Sequence, residues 1–385
     1  MIEKKLRVAL FTHNYPITSK ERKDAGIFVY DFSHELAKHV DVFVFCPDFG
    51  GKKEKYKKVP VKWMNWGGPK IKFGNWPFYS PLSVYNFFKL ILIGSREAER
   101  FVRENKIDYI LSCWIMPSAI YALWARLRLK VPYSVWVLGS DANIYAKFPI
   151  LRQLTILALK RAHARFSNSY YLIRATQKLA SKKCEYMSAI TNFQGEKVKP
   201  RKLPDRVFNF LFVSRLEKVK GPDVLMKACL ELKRKTSDFK LHVLGDGTMR
   251  EGLEKFIKNN KISDQVVFYG NCGKDEIISF MRAANALVVA SRAESIPLVM
   301  VEAARCGLAT VATNVGDCKY ASDKYNLGYV AKSEDPGDLA KKMYMAMQEG
   351  INFKMKRQKG LKRISDDYKQ EVAVATFMKK VEMYD

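Results

Sequence analysis

Residues 291–307 read Ser-Arg-Ala-Glu-Ser-Ile-Pro-Leu-Val-Met-Val-Glu-Ala-Ala-Arg-Cys-Gly, directly after the apolar run Ala286–Ala290. Pro297 suits the first position of a helix and Gly307 suits its C-terminal stop, so the segment reads as a strand end, a short loop and a helix. The free amides around Ile296, Leu298 and Val299 form the kind of anion site that helix N-termini offer to phosphate. Glu294 lies in the loop before that turn. Glu302 lies five residues past Pro297, about 7.5 Å along the axis at ~1.5 Å per residue, so the two carboxylates can flank a bound diphosphate, one toward a sugar and one toward a ribose. The other reading of the pair is a carboxylate complementing the helix dipole at Glu294 and a solvated surface charge at Glu302.

Working outward, strands and helices alternate in both directions. After this point in the chain a helix is expected near 336–348; before and around it, strands are expected at Asn209–Ser214, Leu241–Leu244, Val266–Tyr269, Ala286–Ala290 and Ala309–Thr313, with helices near 222–235, 249–259, 274–282 and 297–306. The first half repeats the pattern: strands at Arg7–Thr12, Val40–Cys46, Tyr109–Cys113 and Tyr133–Leu138, and helices near 28–39, 83–104, 117–128, 150–162 and 171–182. Short apolar runs flanked by helices predict parallel sheets covered on both faces. Residues 194–206, with two prolines and seven charges, read as a linker. The expected architecture is α/β, with two Rossmann-like domains facing a central cleft: residues 1–195 with a C-terminal helix at 368–385 crossing back to them, and residues 205–367.

Three further stretches bear on chemistry. In Phe212–Ala228, Arg215 and Lys220 stand between a strand and a helix, where two cations can clamp a diphosphate and neutralise charge growing on a leaving group. Leu244-Gly-Asp-Gly247 is a G-x-G turn after a strand, with Arg250 where a third glycine would stand. The chain contains no D-x-D sequence.

The frame ESIPLVMVEAARCG, with its E-x7-E spacing, closely resembles the signature of family 4 retaining nucleotide-sugar glycosyltransferases of the GT-B fold. The order strand, R-L, K-G, helix in Phe212–Ala228 resembles another element of that family. By this resemblance the second domain binds a nucleotide-sugar donor, with Gly245 and Gly247 bordering the nucleotide and the main chain at Val267 and Phe268 facing the base. Ala25-Gly-Ile-Phe28 resembles the opening where a glycine, here Gly26, approaches the donor phosphates from the first domain. Leu138-Gly-Ser-Asp141 resembles the H-G-x-D motif with leucine in place of histidine; Asp141 is a candidate site residue, and His13 is the nearby histidine nominated as a substitute. Two further departures are Asp317 in place of a second adjacent glycine and Phe193 after Asn192. The resemblance implies transfer of a hexose-type sugar, with retention and without metal, to a hydroxyl acceptor on a lipid carrier or polysaccharide of the cell envelope. A nucleotide-sugar 2-epimerase and a non-catalytic nucleotide-sugar-binding homologue are the alternatives. No cofactor beyond the donor substrate is implied.

Composition sets the boundaries. With 385 residues and 48% apolar side chains the chain can bury sizeable cores, which excludes global disorder. The net charge is +28, and residues 1–200 hold 34 basic against 15 acidic side chains, so an anionic partner is expected. No helix-turn-helix, RNP, KH or zinc-finger pattern supports specific nucleic-acid binding. Seven scattered cysteines without a CxxC pair argue against a disulfide framework or a zinc site and fit a reducing cytoplasm. No signal peptide is read at Met1–Lys5, and the charge-free stretch Tyr109–Ala125 reads as a strand followed by a helix start rather than a membrane span. Between Gly50 and Lys72 eight lysines accompany one acid, with aromatics within and just beyond, which reads as a surface loop suited to anionic lipid headgroups on the inner face of a membrane.

Overall fold

The computed structural model describes residues 5–17, 26–51, 53, 58–70, 80–138, 149–191 and 197–384. The chain divides into two compact units, Met1–Asn192 with Lys369–Asp385, and Phe193–Tyr368.

The first unit runs β1 (Arg7–Phe11), α1 (Ile27–Leu36), β2 (Asp41–Pro47), β3 (Val61–Met64), α2 (Pro81–Glu104), β4 (Tyr109–Cys113), α3 (Ser118–Leu129), β5 (Tyr133–Val137), α4 (Pro149–Arg161), β6 (Ala164–Ser167), α5 (Tyr170–Ala180) and β7 (Glu185–Tyr186). The second runs β8 (Phe208–Val213), a 3-10 turn (Lys218–Lys220), α6 (Pro222–Lys233), β9 (Phe239–Leu244), α7 (Arg250–Asn259), β10 (Val266–Gly270), α8 (Lys274–Ala283), β11 (Ala286–Val289), α9 (Leu298–Arg305), β12 (Thr310–Thr313), α10 (Cys318–Tyr325), β13 (Gly328–Ala331), α11 (Pro336–Glu349), α12 (Asn352–Met355) and α13 (Gln358–Asp367). The last helix, α14 (Gln370–Val381), belongs to the first unit.

The first sheet has the order β3-β2-β1-β4-β5-β6-β7 and the second β10-β9-β8-β11-β12-β13, with parallel strand pairs throughout both. Side chains alternate across a strand, so each central strand feeds two cores. In β1, Ala9 and Phe11 join the core under α2 and α3, whereas Val8 and Leu10 join the core under α1 and α14. Phe377 of α14 is fully buried there, with its ring 6.1 Å from Phe32 and 5.8 Å from Tyr109.

The structure differs from the sequence reading at several points. The lysine-rich stretch, read as a loop, contains β3, an edge strand of which Met64 is the one buried member. Strands β6, β7 and β13 and helices α10, α12 and α13 were not expected. Pro297 is the capping residue of α9 in extended conformation, and the helix starts one residue later than expected. Tyr109–Ala125 is β4 running into α3, as read, and among the described residues no helix is long and apolar enough to cross a membrane.

Replacing Phe377 by alanine removes a fully buried ring and leaves a cavity, and is expected to cost about 3–5 kcal/mol of unfolding free energy. Urea denaturation of the purified variant measures it; a loss below about 1 kcal/mol would show that α14 is not integral to the first core.

Candidate functional site

In an open parallel sheet the crevice at the carboxyl ends of the strands, where the strand order reverses, is the natural binding position. In the second sheet the order reverses between β8 and β11. The loop after β8 carries Arg215 and Lys220, and the loop after β11 carries Ser291–Pro297. These two loops meet. Lys220 Nζ donates to Glu294 Oε1 at 2.5 Å, and Ser291 Oγ donates to the same oxygen at 2.8 Å. Both charged side chains are largely covered, at 23% and 13% exposure, so the pair is better shielded than a surface ion pair.

A second ion pair ties the same loops. Arg292 donates to both carboxylate oxygens of Asp223 at 2.7 and 2.8 Å, to the Lys218 carbonyl at 2.6 Å, and also pairs with Glu334. The fork geometry suits a guanidinium and makes the contact directional. That guanidinium holds the Asp223 carboxyl below the usual carboxylate range.

Backbone contacts are as close as the side-chain ones. Gly221 has φ +65°, and a Cβ there would lie 2.0 Å from the Ala290 carbonyl oxygen. Gly316 has φ +52°, and a Cβ there would lie 2.0 Å from the Glu294 carbonyl oxygen. Either position excludes every residue but glycine on two independent counts. Asp317, where a second glycine was expected, is buried, and its amide donates to the Ser295 carbonyl at 2.8 Å. Thr313 Oγ1 donates to the Ser291 carbonyl at 2.7 Å, so the end of β12 supports the same loop.

The remaining residues predicted from sequence fall into groups. Arg215 is exposed on the loop that holds Lys220, and its guanidinium has no hydrogen-bond partner among the described residues, although its carbonyl accepts from the Glu217 amide at 2.8 Å. Gly245 and Gly247 lie beside that loop, since Cβ atoms there would meet the Ser214 and Leu216 carbonyl oxygens at 1.9 and 2.6 Å. Ile296 is buried, while Leu298 and Val299 in the first turn of α9 are half-buried. Val267 and Phe268 sit within edge strand β10, and Gly270 is the residue of β10 that bonds Gly245, through its carbonyl at 2.7 Å. Glu302 is half-buried rather than solvated, and among the described residues its carboxylate has neither a hydrogen bond nor an ion pair. Burial pushes it above the ordinary value of 4.5, with Lys274 and Arg305 opposing.

In the first unit the strand order reverses between β1 and β4. His13 follows β1 and Trp114 follows β4, with ring centroids 4.6 Å apart. Burial pushes the His13 imidazole down to about 4, so it is neutral at pH 7. It lines a cavity of about 250 Å³ with Tyr15, Trp63 and Lys70. Gly26 packs against the Asn14 carbonyl, where a Cβ would lie 2.4 Å from the oxygen, which accounts for the glycine by local packing. Leu138, in place of the motif histidine, is buried at the end of β5. Asp141 lies outside the described residues, as do Asn192 and Phe193. No group of three or more potential metal ligands occurs among the described residues.

Residues 193–363 match the family described as glycosyl transferases group 1. This part of the chain resembles a glycosyltransferase domain. The chain is similar to an uncharacterised glycosyltransferase of Methanocaldococcus jannaschii, with 28% identity over 64% of this chain and 67% of that protein. It superposes on sucrose-phosphate synthase from Thermosynechococcus elongatus with TM-score 0.76 at 14% identity, covering 99% of each chain. It also superposes on Anabaena HepE in complex with UDP-glucose, with TM-score 0.68 at 15% identity, covering 98% of this chain and 100% of that one. The fold is GT-B. Ser291, Arg292, Asp223 and Gly316, which sequence reasoning did not single out, complete the frame around Lys220 and Glu294 in the second unit. The spacing of Arg292, two residues before Glu294 in the quoted stretch, was the available signal.

The raised pKa of Glu302 fixes a sign. Ionisation of this carboxyl is harder in the fold than in the unfolded chain, so its charge costs stability above its folded pKa and nothing below about 4.5. Glu302→Gln is therefore expected to raise the melting temperature relative to the parent at pH 8 and to leave it unchanged at pH 4, as read by calorimetry across that range. An equal shift at both values would contradict the assignment.

Proposed function

We propose that this protein is a glycosyltransferase, a retaining, family 4 enzyme that moves a hexose from a nucleoside diphosphate donor to a hydroxyl acceptor without a metal ion. The observation that carries the reading is the meeting of Lys220 and Glu294 beside the first turn of α9, at the strand-order reversal of the second sheet. HepE in complex with UDP-glucose supports a nucleotide-sugar donor on this fold.

In that reaction the bond between the anomeric carbon and the diphosphate oxygen breaks, and the acceptor hydroxyl oxygen forms a new bond to the same carbon. The electron pair leaves with the diphosphate, and the acceptor's proton passes to a leaving phosphate oxygen as attack proceeds on the same face. Charge grows on the diphosphate, so the groups that act are those that stabilise anions: Lys220, Arg215 and the free amides of Leu298 and Val299. Lys220 is neutralised by Glu294 before donor binds; an arriving diphosphate shares the ammonium, and Glu294 becomes free to accept hydroxyl hydrogen bonds from the sugar. The half-buried Glu302 carboxylate lacks donors among the described residues, which suits it to the ribose hydroxyls. Gly245 and Gly247 border the nucleotide, with Val267 and Phe268 near the base.

The acceptor engages the first unit, where neutral His13 and Asp141 are the proposed contributors, while Gly26 is proposed to face the donor phosphates. The enzyme works in the cytoplasm, and the lysine-rich stretch 52–72 draws it to anionic lipid and to a lipid-linked or polysaccharide acceptor of the cell envelope.

Purified protein incubated with a panel of nucleotide sugars is expected to release nucleoside diphosphate with at least one donor, at a rate that EDTA leaves unchanged. Lys220→Ala and Glu294→Ala are each expected to lower that rate tenfold or more, and Arg215→Ala in the same direction. NMR of the glycosylated product reads the anomeric configuration. Near-parental rates in both the Lys220 and Glu294 variants, or an inverted product, would remove the reading.

A further inference from the structure

Helix α2 has two apolar faces, and the fold uses one of them. Phe87, Leu90, Ala98 and Phe101 are buried in the core beneath the first sheet. Leu82, Tyr85, Phe88 and Leu92 point away from that core and are 66%, 63%, 47% and 50% exposed. At 100° per residue these four fall within about 120° of arc, so they form one continuous strip over the first three turns. The strip then ends: the same side of the following turns carries Arg96, Arg100 and Arg103, with Arg100 paired to Glu97 and Arg103 to Glu99. Four large apolar side chains side by side on a surface mark a contact site rather than scattered exposure.

The chemistry around the strip says what covers it. Lys89, within the same arc, donates to the Gly67 carbonyl at 2.7 Å, and Met64 and Trp66 are buried in the core that holds Phe87 and Leu90. Segment 58–70 is thus fastened beside α2, and it presents Lys58, Lys62 and Lys70 to solvent with no acidic residue of its own. An apolar strip bordered by lysines is complementary to a bilayer that carries anionic headgroups over hydrocarbon. A second copy of the chain is the poorer match, because a two-fold contact sets the same patch against itself and brings lysine against lysine.

We infer that Leu82, Tyr85, Phe88 and Leu92 of α2, together with the lysines of segment 58–70, form the surface by which the first unit lies on an anionic lipid bilayer. This deepens the membrane-side reading of the acceptor and rests on it for its purpose, although lipid binding itself does not require the transfer reaction. The apolar strip enters the boundary between headgroup and acyl chain, and the lysines provide attraction that falls with salt.

The test is co-sedimentation of the full chain with vesicles of phosphatidylcholine alone and with about one-third phosphatidylglycerol, at low and high salt. The parent is expected to sediment with the anionic vesicles and far less with the neutral ones. Leu82→Ser, Tyr85→Ser, Phe88→Ser and Leu92→Ser combined are expected to lower the partition coefficient at least tenfold, with the melting temperature retained because all four side chains are exposed. Lys58→Glu, Lys62→Glu and Lys89→Glu combined are expected to lower it by more than tenfold and to remove its salt dependence, since each lysine near an acidic leaflet is worth roughly fivefold. Absence of vesicle binding by the parent, or binding that the serine substitutions leave intact, overturns the proposal. So does a parental dimer, seen by sedimentation velocity, that the serine substitutions dissolve while vesicle binding persists. Nucleoside diphosphate release without vesicles, measured on the same preparations, reads the donor reaction separately: its absence from parent and variants sinks the transferase reading while the vesicle result still decides the surface.

Discussion

Three loops at the carboxyl edge of the second sheet, those after β8, β11 and β12, can approach closely because glycine stands where their backbones would otherwise collide. Gly221 lies against the Ala290 carbonyl and Gly316 against the Glu294 carbonyl, both at positive φ. The charged contacts follow from that approach. Lys220, next to Gly221 in sequence, reaches Glu294 only because the loop after β8 is held against the end of β11, and Arg292 locks the arrangement by gripping Asp223 and the Lys218 carbonyl. Electrostatics at this site is thus a consequence of backbone packing, and a cation fixed in this way reorganises little when an anion arrives.

Each unit supports its own loops by the same device. Parallel sheets bury both faces, so the strands are near-continuous apolar runs and the polar residues gather at the strand ends. In the first unit His13 and Trp114 sit at the reversal between β1 and β4, as Lys220 and Glu294 sit at the reversal between β8 and β11. The difference lies in charge. The first position is aromatic with a neutral imidazole, whereas the second is ionic, which suits one to neutral rings or hydroxyls and the other to phosphate.

Much of this was legible in the sequence. Most of the long helices and central strands announced themselves by period, and the E-x7-E frame marked the loop and helix that hold Glu294 and Glu302. What was not legible has physical causes. Strand β3 hides among lysines because an edge strand needs little burial, and Met64 is its single buried residue. Strand β13 and helix α10 are short, with four and eight residues, too few for a period to declare itself. The shielding of Glu302 depends on what α9 packs against, which spacing along one helix does not specify. The outer strip of α2 escaped notice for a related reason: helical periodicity reports that an apolar stripe exists, and only the fold shows which of two stripes has been left outside.

The Arg292 fork has a consequence for how this protein could diversify. One guanidinium joins the start of α6, the turn before it and Glu334, so those segments cannot change length independently. Insertions at either loop would pull the others out of place together. New ligand preferences in such a scaffold would therefore arise by exchanging side chains on a fixed frame, and a combinatorial library that varies residue identity while leaving loop lengths alone should hold more folded members than one that varies length.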